Sequence, residues 1–167
     1  MLIGNKQAFA IEVFVHEAQT EGLSFLLGNI SIWINGEQLG DPYLCVDLNV
    51  PVILLKDLIL PIGSRNVDVH SLMGLKNAFY YFENYLFENG YDAQEIGDKK
   101  IAKLCVLPNI SEAFDGEILF FLESKNKEFF VWRKFGEESI QHLHLPQGSF
   151  NKIIHQFLDE IKALQIQ

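Results

Sequence analysis

The sequence predicts an α+β fold: an antiparallel β-sheet, made of N-terminal strands and a hairpin plus a C-terminal meander, packed by a long central helix and a C-terminal helix. Three observations predict it. Strand-like alternation opens the chain. Two apolar stripes recur farther on at three- and four-residue steps. Between those stripes lie three consecutive strand signals separated by turn-forming residues.

From Gln7 to Val15 the residues Phe9, Ile11, Val13 and Val15 fall on one face of a stretch rich in β-branched and aromatic residues, which predicts a strand. A polar loop passes through Gly22, and Phe25 to Ile34 reads as a second strand. Asn35-Gly36 then supplies the positive φ angles of a two-residue type I′ turn, so Glu37 to Leu39 is the return arm of a hairpin. Val50 to Leu60 is apolar enough to be buried. Its period suits a short helix or a strand, and Pro51 in a first turn with Pro61 as a stop favours the helix.

The long central helix is predicted from Leu72, Leu75, Phe79, Phe82 and Leu86, with Asp68 or Ser71 as cap and Asn89-Gly90 as stop. Tyr91 to Lys103 is polar and indeterminate, and Ile101 to Leu107 reads as a strand ending at Pro108. Glu117–Glu123, Glu128–Phe135 and Ile140–Leu145 form the meander. Ser149 caps a final helix whose stripe is Phe150, Ile153, Ile154, Phe157, Leu158 and Ile161.

A chain of 167 residues with 49% hydrophobic and 21% charged residues is expected to fold as a single domain, residues 1–167, with a core that needs no staples. Cys45 and Cys105 have the spacing of neither a zinc site nor a redox pair, and are expected to be reduced and buried. The start lacks a basic and apolar leader and no apolar run spans a bilayer, which predicts a cytoplasmic protein.

The formal net charge of −9 argues against nucleic acid and anionic membrane as partners, because both need Lys and Arg to neutralise them. A basic protein fits better. The charge is also uneven: residues 1–98 hold 13 acids and 4 bases, whereas residues 99–167 hold nine of each.

Catalytic and cofactor motifs are not found, so no catalytic residue, metal ligand or cofactor is assigned. His142 and His144 share one face of a predicted strand but lack a third ligand, and alternation places Leu143 and Leu145 toward the core. His16 and His155 are expected at the surface, and His70 in the first turn of the central helix. Phosphate-binding glycine patterns and a nucleophile elbow do not occur. Trp33 and Trp132 are expected in the core. Phe79-Tyr80-Tyr81-Phe82 and Tyr85-Leu86-Phe87 cover more than one helix face, which leaves some of Tyr80, Tyr81 and Tyr85 for solvent or a partner.

Three strings carry a family resemblance: Ile3-Gly4-Asn5-Lys6-Gln7-Ala8-Phe9-Ala10-Ile11-Glu12, Trp33-Ile34-Asn35-Gly36-Glu37-Gln38-Leu39-Gly40-Asp41, and Leu145-Pro146-Gln147-Gly148-Ser149-Phe150 before a helix. Together they resemble the bacterial immunity protein 42 family, whose members protect a cell from polymorphic or contact-dependent toxins. The resemblance implies a non-enzymatic inhibitor that forms a stoichiometric complex with a cognate toxin domain, for instance a nuclease with a basic cleft. Acidity in residues 1–98 then selects Glu37, Asp41 and Asp47 after the hairpin, and Glu88, Asp92, Glu95 and Asp98 around the end of the central helix, as candidate partner-binding residues. Two other readings remain open, a small-ligand or metal-binding enzyme or sensor using His142 and His144, and a non-catalytic adaptor subunit.

Overall fold

A computed structural model describes residues 1–18, 26–88 and 101–165. The N-terminal sheet contains β1 (Leu2–Gly4), β2 (Phe9–Ala18), β3 (Leu26–Ile34), β4 (Glu37–Leu39) and β5 (Val46–Asp47). The path β1-β2-β3-β4 is antiparallel throughout, and β5 also pairs with β3. Asn35 and Gly36, at φ 53° and 81°, make the predicted tight turn, and Ile34 pairs with Glu37 across it. β1 escapes the periodicity because it is three residues long and only its middle residue, Ile3, is buried.

The C-terminal meander forms a separate four-stranded sheet rather than extending the first: β6 (Cys105–Leu107), β7 (Ile118–Ser124), β8 (Lys127–Arg133) and β9 (Gln141–Pro146), in that spatial order. Side-chain alternation splits its two faces. Leu119, Phe121, Phe130, Trp132 and Leu145 join the strands of the N-terminal sheet in one core, while Phe120, Leu122 and Val131 pack in a second cluster. That second cluster is closed by α2 (Leu75–Glu83) through Ala78, Phe79 and Phe82. α1 (Asn49–Asp57) and α3 (Ser149–Gln165) contribute Leu55, Phe150, Ile154, Phe157 and Ile161 to the first.

Phe150 is the hub of the main core. Its ring stacks on Phe121 at 4.3 Å between centroids and on Phe9 at 5.6 Å, so the start of α3 joins both sheets. The helix does begin at Ser149, although the capping differs from expectation. Ser149 Oγ donates to the Pro146 carbonyl, and the N–H groups of Gly148 and Phe150 donate to the buried carboxylate of Glu128 at 2.5 and 2.9 Å.

The central helix is shorter than predicted. Met73 and Gly74 have φ of 55° and 107°, which the right-handed helix excludes, so α2 starts at Leu75 and continues after Glu83 as one π-helical turn, Asn84–Glu88. Asp68 serves a turn before the helix, accepting from the Ser71 hydroxyl at 2.5 Å and from the His70 N–H at 3.1 Å. His70 therefore precedes the helix rather than opening it. The predicted stop at Asn89-Gly90 lies outside the described residues. Ile101 and Ala102 are helical, which confines the predicted 101–107 strand to Cys105–Leu107.

Two burial expectations also change. Trp33 sits between the fully buried Ile32 and Ile34 and so points to the outer face, where its indole donates to Glu12 at 2.8 Å and the Lys6 ammonium lies 3.8 Å from its ring centroid. Cys45 is exposed because its neighbour Val46 turns inward in β5. Cys105 is buried, and burial pushes its thiol up to about 12. Trp132 is in the core as expected. Among the described residues no helix is long and apolar enough to cross a membrane.

Candidate interaction surface

The two sheets meet where the chain leaves β4. Gly40 donates its N–H to Glu117 Oε2 at 2.6 Å across 77 residues of sequence, and Asp41 donates its N–H to the Ala113 carbonyl at 2.7 Å. Ser111 holds the facing turn, a 3-10 turn at Glu112–Phe114, by accepting from Ala113 N–H. Phe114 from this turn is fully buried and abuts Gly40. A Cβ at residue 40 would lie 2.7 Å from the Phe114 ring, and Gly40 has φ +92°, so both space and conformation call for glycine there. A further bond joins the sheets nearby, from the Trp132 indole to Glu37 at 3.1 Å.

These contacts frame a hollow of about 460 Å³ lined by Gly40, Asp41, Leu44, Glu112, Ala113, Asp115, Glu117 and Phe135. Four of its eight residues are acids. Asp41, Glu112 and Asp115 are exposed at its edge, while Glu117 is only 8% exposed. Phe135, in the lining, is 76% exposed, and Tyr43, between the lining residues Asp41 and Leu44 in sequence, is 91% exposed. Exposed aromatics around a polar depression are the usual anchors of a protein interface.

Burial pushes the Glu117 carboxyl up to about 7 from an ordinary 4.5, opposed by the Gly40 N–H and by the charge of Lys134. A folded value above the unfolded one means that the protonated form is favoured by folding. This contribution is fully present below about pH 4.5 and is lost as pH rises through about 7, about 3 kcal/mol in all. Urea denaturation across this range is expected to show wild-type stability falling relative to that of Glu117→Gln. Parallel pH profiles for the two proteins would refute it.

Of the sequence-selected acids among the described residues, one, Asp41, lines the hollow. Glu37 accepts the Trp132 indole N–H, and Asp47 accepts the N–H of Asn49 at 3.0 Å at the start of α1, so both hold structure together. Glu88 ends the π-helical turn, and Asp92, Glu95 and Asp98 lie outside the described residues. Glu112, Asp115 and Glu117 were hidden by the zero net charge of residues 99–167. The available signal was local, three acids within six residues.

His142 and His144 are exposed on β9, with Leu145 buried and Leu143 half-buried on the other side. Among the described residues no three His, Cys, Asp or Glu side chains are placed to hold one metal ion. Tyr80 and Tyr81 of α2 are exposed, at 37% and 49%, while Phe79 and Phe82 fill the core.

Two antiparallel sheets with helices packed on them define an α+β domain, with an acidic hollow where the sheets meet. Residues 1–160 match the family model of immunity protein 42, and the chain belongs to that family. No curated protein matches the sequence. Among solved structures, the crystal structure of CdiI from Burkholderia dolosa AUO158 is similar in fold, with a TM-score of 0.68 and 18% identity over 96% of this chain and 99% of that one.

Proposed function

We propose that this immunity protein neutralises its cognate toxin domain by stoichiometric binding, and that the surface around the hollow, residues 40–45 with 112–117 and Phe135, takes part in the contact. The observation that carries the reading is the convergence of acids from both halves of the chain on one aromatic-rimmed depression. Such a surface suits a basic partner. A nuclease cleft, which uses Lys and Arg to hold phosphates, would be drawn to it electrostatically and would be denied to nucleic acid once covered.

In this reading the protein works as one domain in the cytoplasm of the cell that makes the toxin, and it inhibits by occupancy rather than by chemistry. Of the sequence-selected acids, Asp41 lines the hollow, with Glu37 and Asp47 on the same side of the hairpin sequence and Glu88, Asp92, Glu95 and Asp98 as a second acidic segment of the proposed contact. The test is co-expression with the toxin encoded next to it. Restored growth and co-purification in a fixed ratio are expected, and unchanged toxicity in cells holding the folded protein would sink the proposal.

A further inference from the structure

We propose that the hollow is the seat for one cationic side chain of the toxin, an arginine or a lysine, which enters past Phe135 and closes on the carboxylate of Glu117 at the floor. This rests on the toxin-binding reading above and adds the chemistry recognised.

Glu117 supplies the reason. The residue lines the hollow yet is only 8% exposed, and of its carboxylate only Oε2 is engaged, by the Gly40 N–H. Oε1 meets no hydrogen-bond donor among the described residues. A buried carboxylate oxygen without a donor costs free energy until a partner supplies one. The exposed carboxylates of Asp41, Glu112 and Asp115 surround the entrance and raise the local concentration of cations.

The shape and the walls select the kind of cation. No three ligands among the described residues converge on a single point, as a metal ion would require. A side chain that donates in several directions while its stem runs along apolar surface fits better. Phe135 provides that surface: its ring lies over Gly116, where a Cβ would collide with it, and its exposed face can receive a cation.

Binding also moves a proton. The groups acting on Glu117 are the Gly40 N–H and the Lys134 ammonium, with Asp41, Glu112 and Asp115 around the same hollow. A partly protonated Glu117 passes its proton to water when the incoming cation pairs with the carboxylate, so binding tightens as pH rises through about 7.

The probe is Nα-acetyl-arginine methylamide, titrated into the full-length protein and followed by NMR at the Gly40 amide, with the norleucine analogue as control. A saturable shift is expected at Gly40 for the arginine probe and not for norleucine. Its dissociation constant should rise about tenfold in Glu117→Gln and on lowering the pH to about 5. Phe135→Ala, which alters an exposed side chain, should weaken binding as well. The proposal is overturned if Gly40 does not respond, if norleucine acts like arginine, or if Glu117→Gln binds as tightly as wild type. Growth rescue by the wild-type protein with a silent Gly40 would remove this seat and leave the toxin-binding reading intact, whereas failed rescue would remove the reading itself.

Discussion

Arg65→Met is expected to destabilise the protein by about 3–5 kcal/mol, the largest loss from any single charged side chain here. Arg65 is only 2% exposed. Its Nε donates to the Lys103 carbonyl at 2.7 Å and its Nη2 to the Leu58 carbonyl at 2.5 Å, so it ties the segment after α1 to the segment before β6. The guanidinium centre lies 5.1 Å from the Phe121 ring centroid and 5.6 Å from that of Phe150, at the hub of the main core. Burial lowers the pKa of Arg65, while the charges of Glu123 and Glu128 favour its ionised form.

Methionine fills similar space but removes the donor from the Lys103 and Leu58 carbonyls and leaves two buried carboxylates, Glu123 and Glu128, without their cation. Glu123 and Glu128 would stay tied to backbone N–H groups, Glu123 to Gly63 and Arg65, Glu128 to Gly148 and Phe150, so they cannot turn to solvent without further loss. Lysine is expected to rescue little, since one ammonium does not reproduce a planar group donating in two directions. Urea denaturation measures the effect. A loss under about 1 kcal/mol would show that the cluster contributes no more than a surface ion pair.

The second large effect is on association. Reversing Asp41, Glu112 and Asp115 together to lysine is expected to slow binding of a basic toxin about a hundredfold at low salt and to flatten the salt dependence, with a smaller change in dissociation. All three are exposed, so the fold should tolerate the change. The matched control is Asp57→Lys with Asp159→Lys and Glu160→Lys, three exposed residues of α1 and α3 that do not line the hollow and whose reversal changes the net charge equally. Stopped-flow association of both variants with the toxin domain separates local steering from bulk charge. Equal slowing in the two would assign the effect to net charge, and a wild-type rate in the triple variant would remove the hollow from the interface.

How much of this was legible before folding differs from element to element. Strands β2, β3, β7, β8 and β9 and helix α3 announce themselves because one buried face imposes a period on the residues, two for strands and near three and a half for helices. The Asn35-Gly36 turn is equally local. Periodicity overextends α2 because Leu72 and Leu75 both pack in the same cluster, which keeps a helical spacing across a break at Met73 and Gly74. Residue type alone places Trp33 in the core, whereas the inward Ile32 and Ile34 require it on the opposite face.

By itself the sequence determined the α+β class, the meander, the net charge of −9 and, through its quoted strings, the family. Those properties depend on neighbours in the chain or on sums over it. Only the tertiary structure decided that the strands divide into two sheets, that Arg65 is enclosed beneath Phe121 and Phe150, and that Asp41 shares a hollow with Glu112, Asp115 and Glu117. The physical reason is distance along the chain. Gly40 and Glu117 are 77 residues apart and meet through one 2.6 Å hydrogen bond, and no periodicity or charge count over a segment encodes which distant segments the packing of a shared core will bring together.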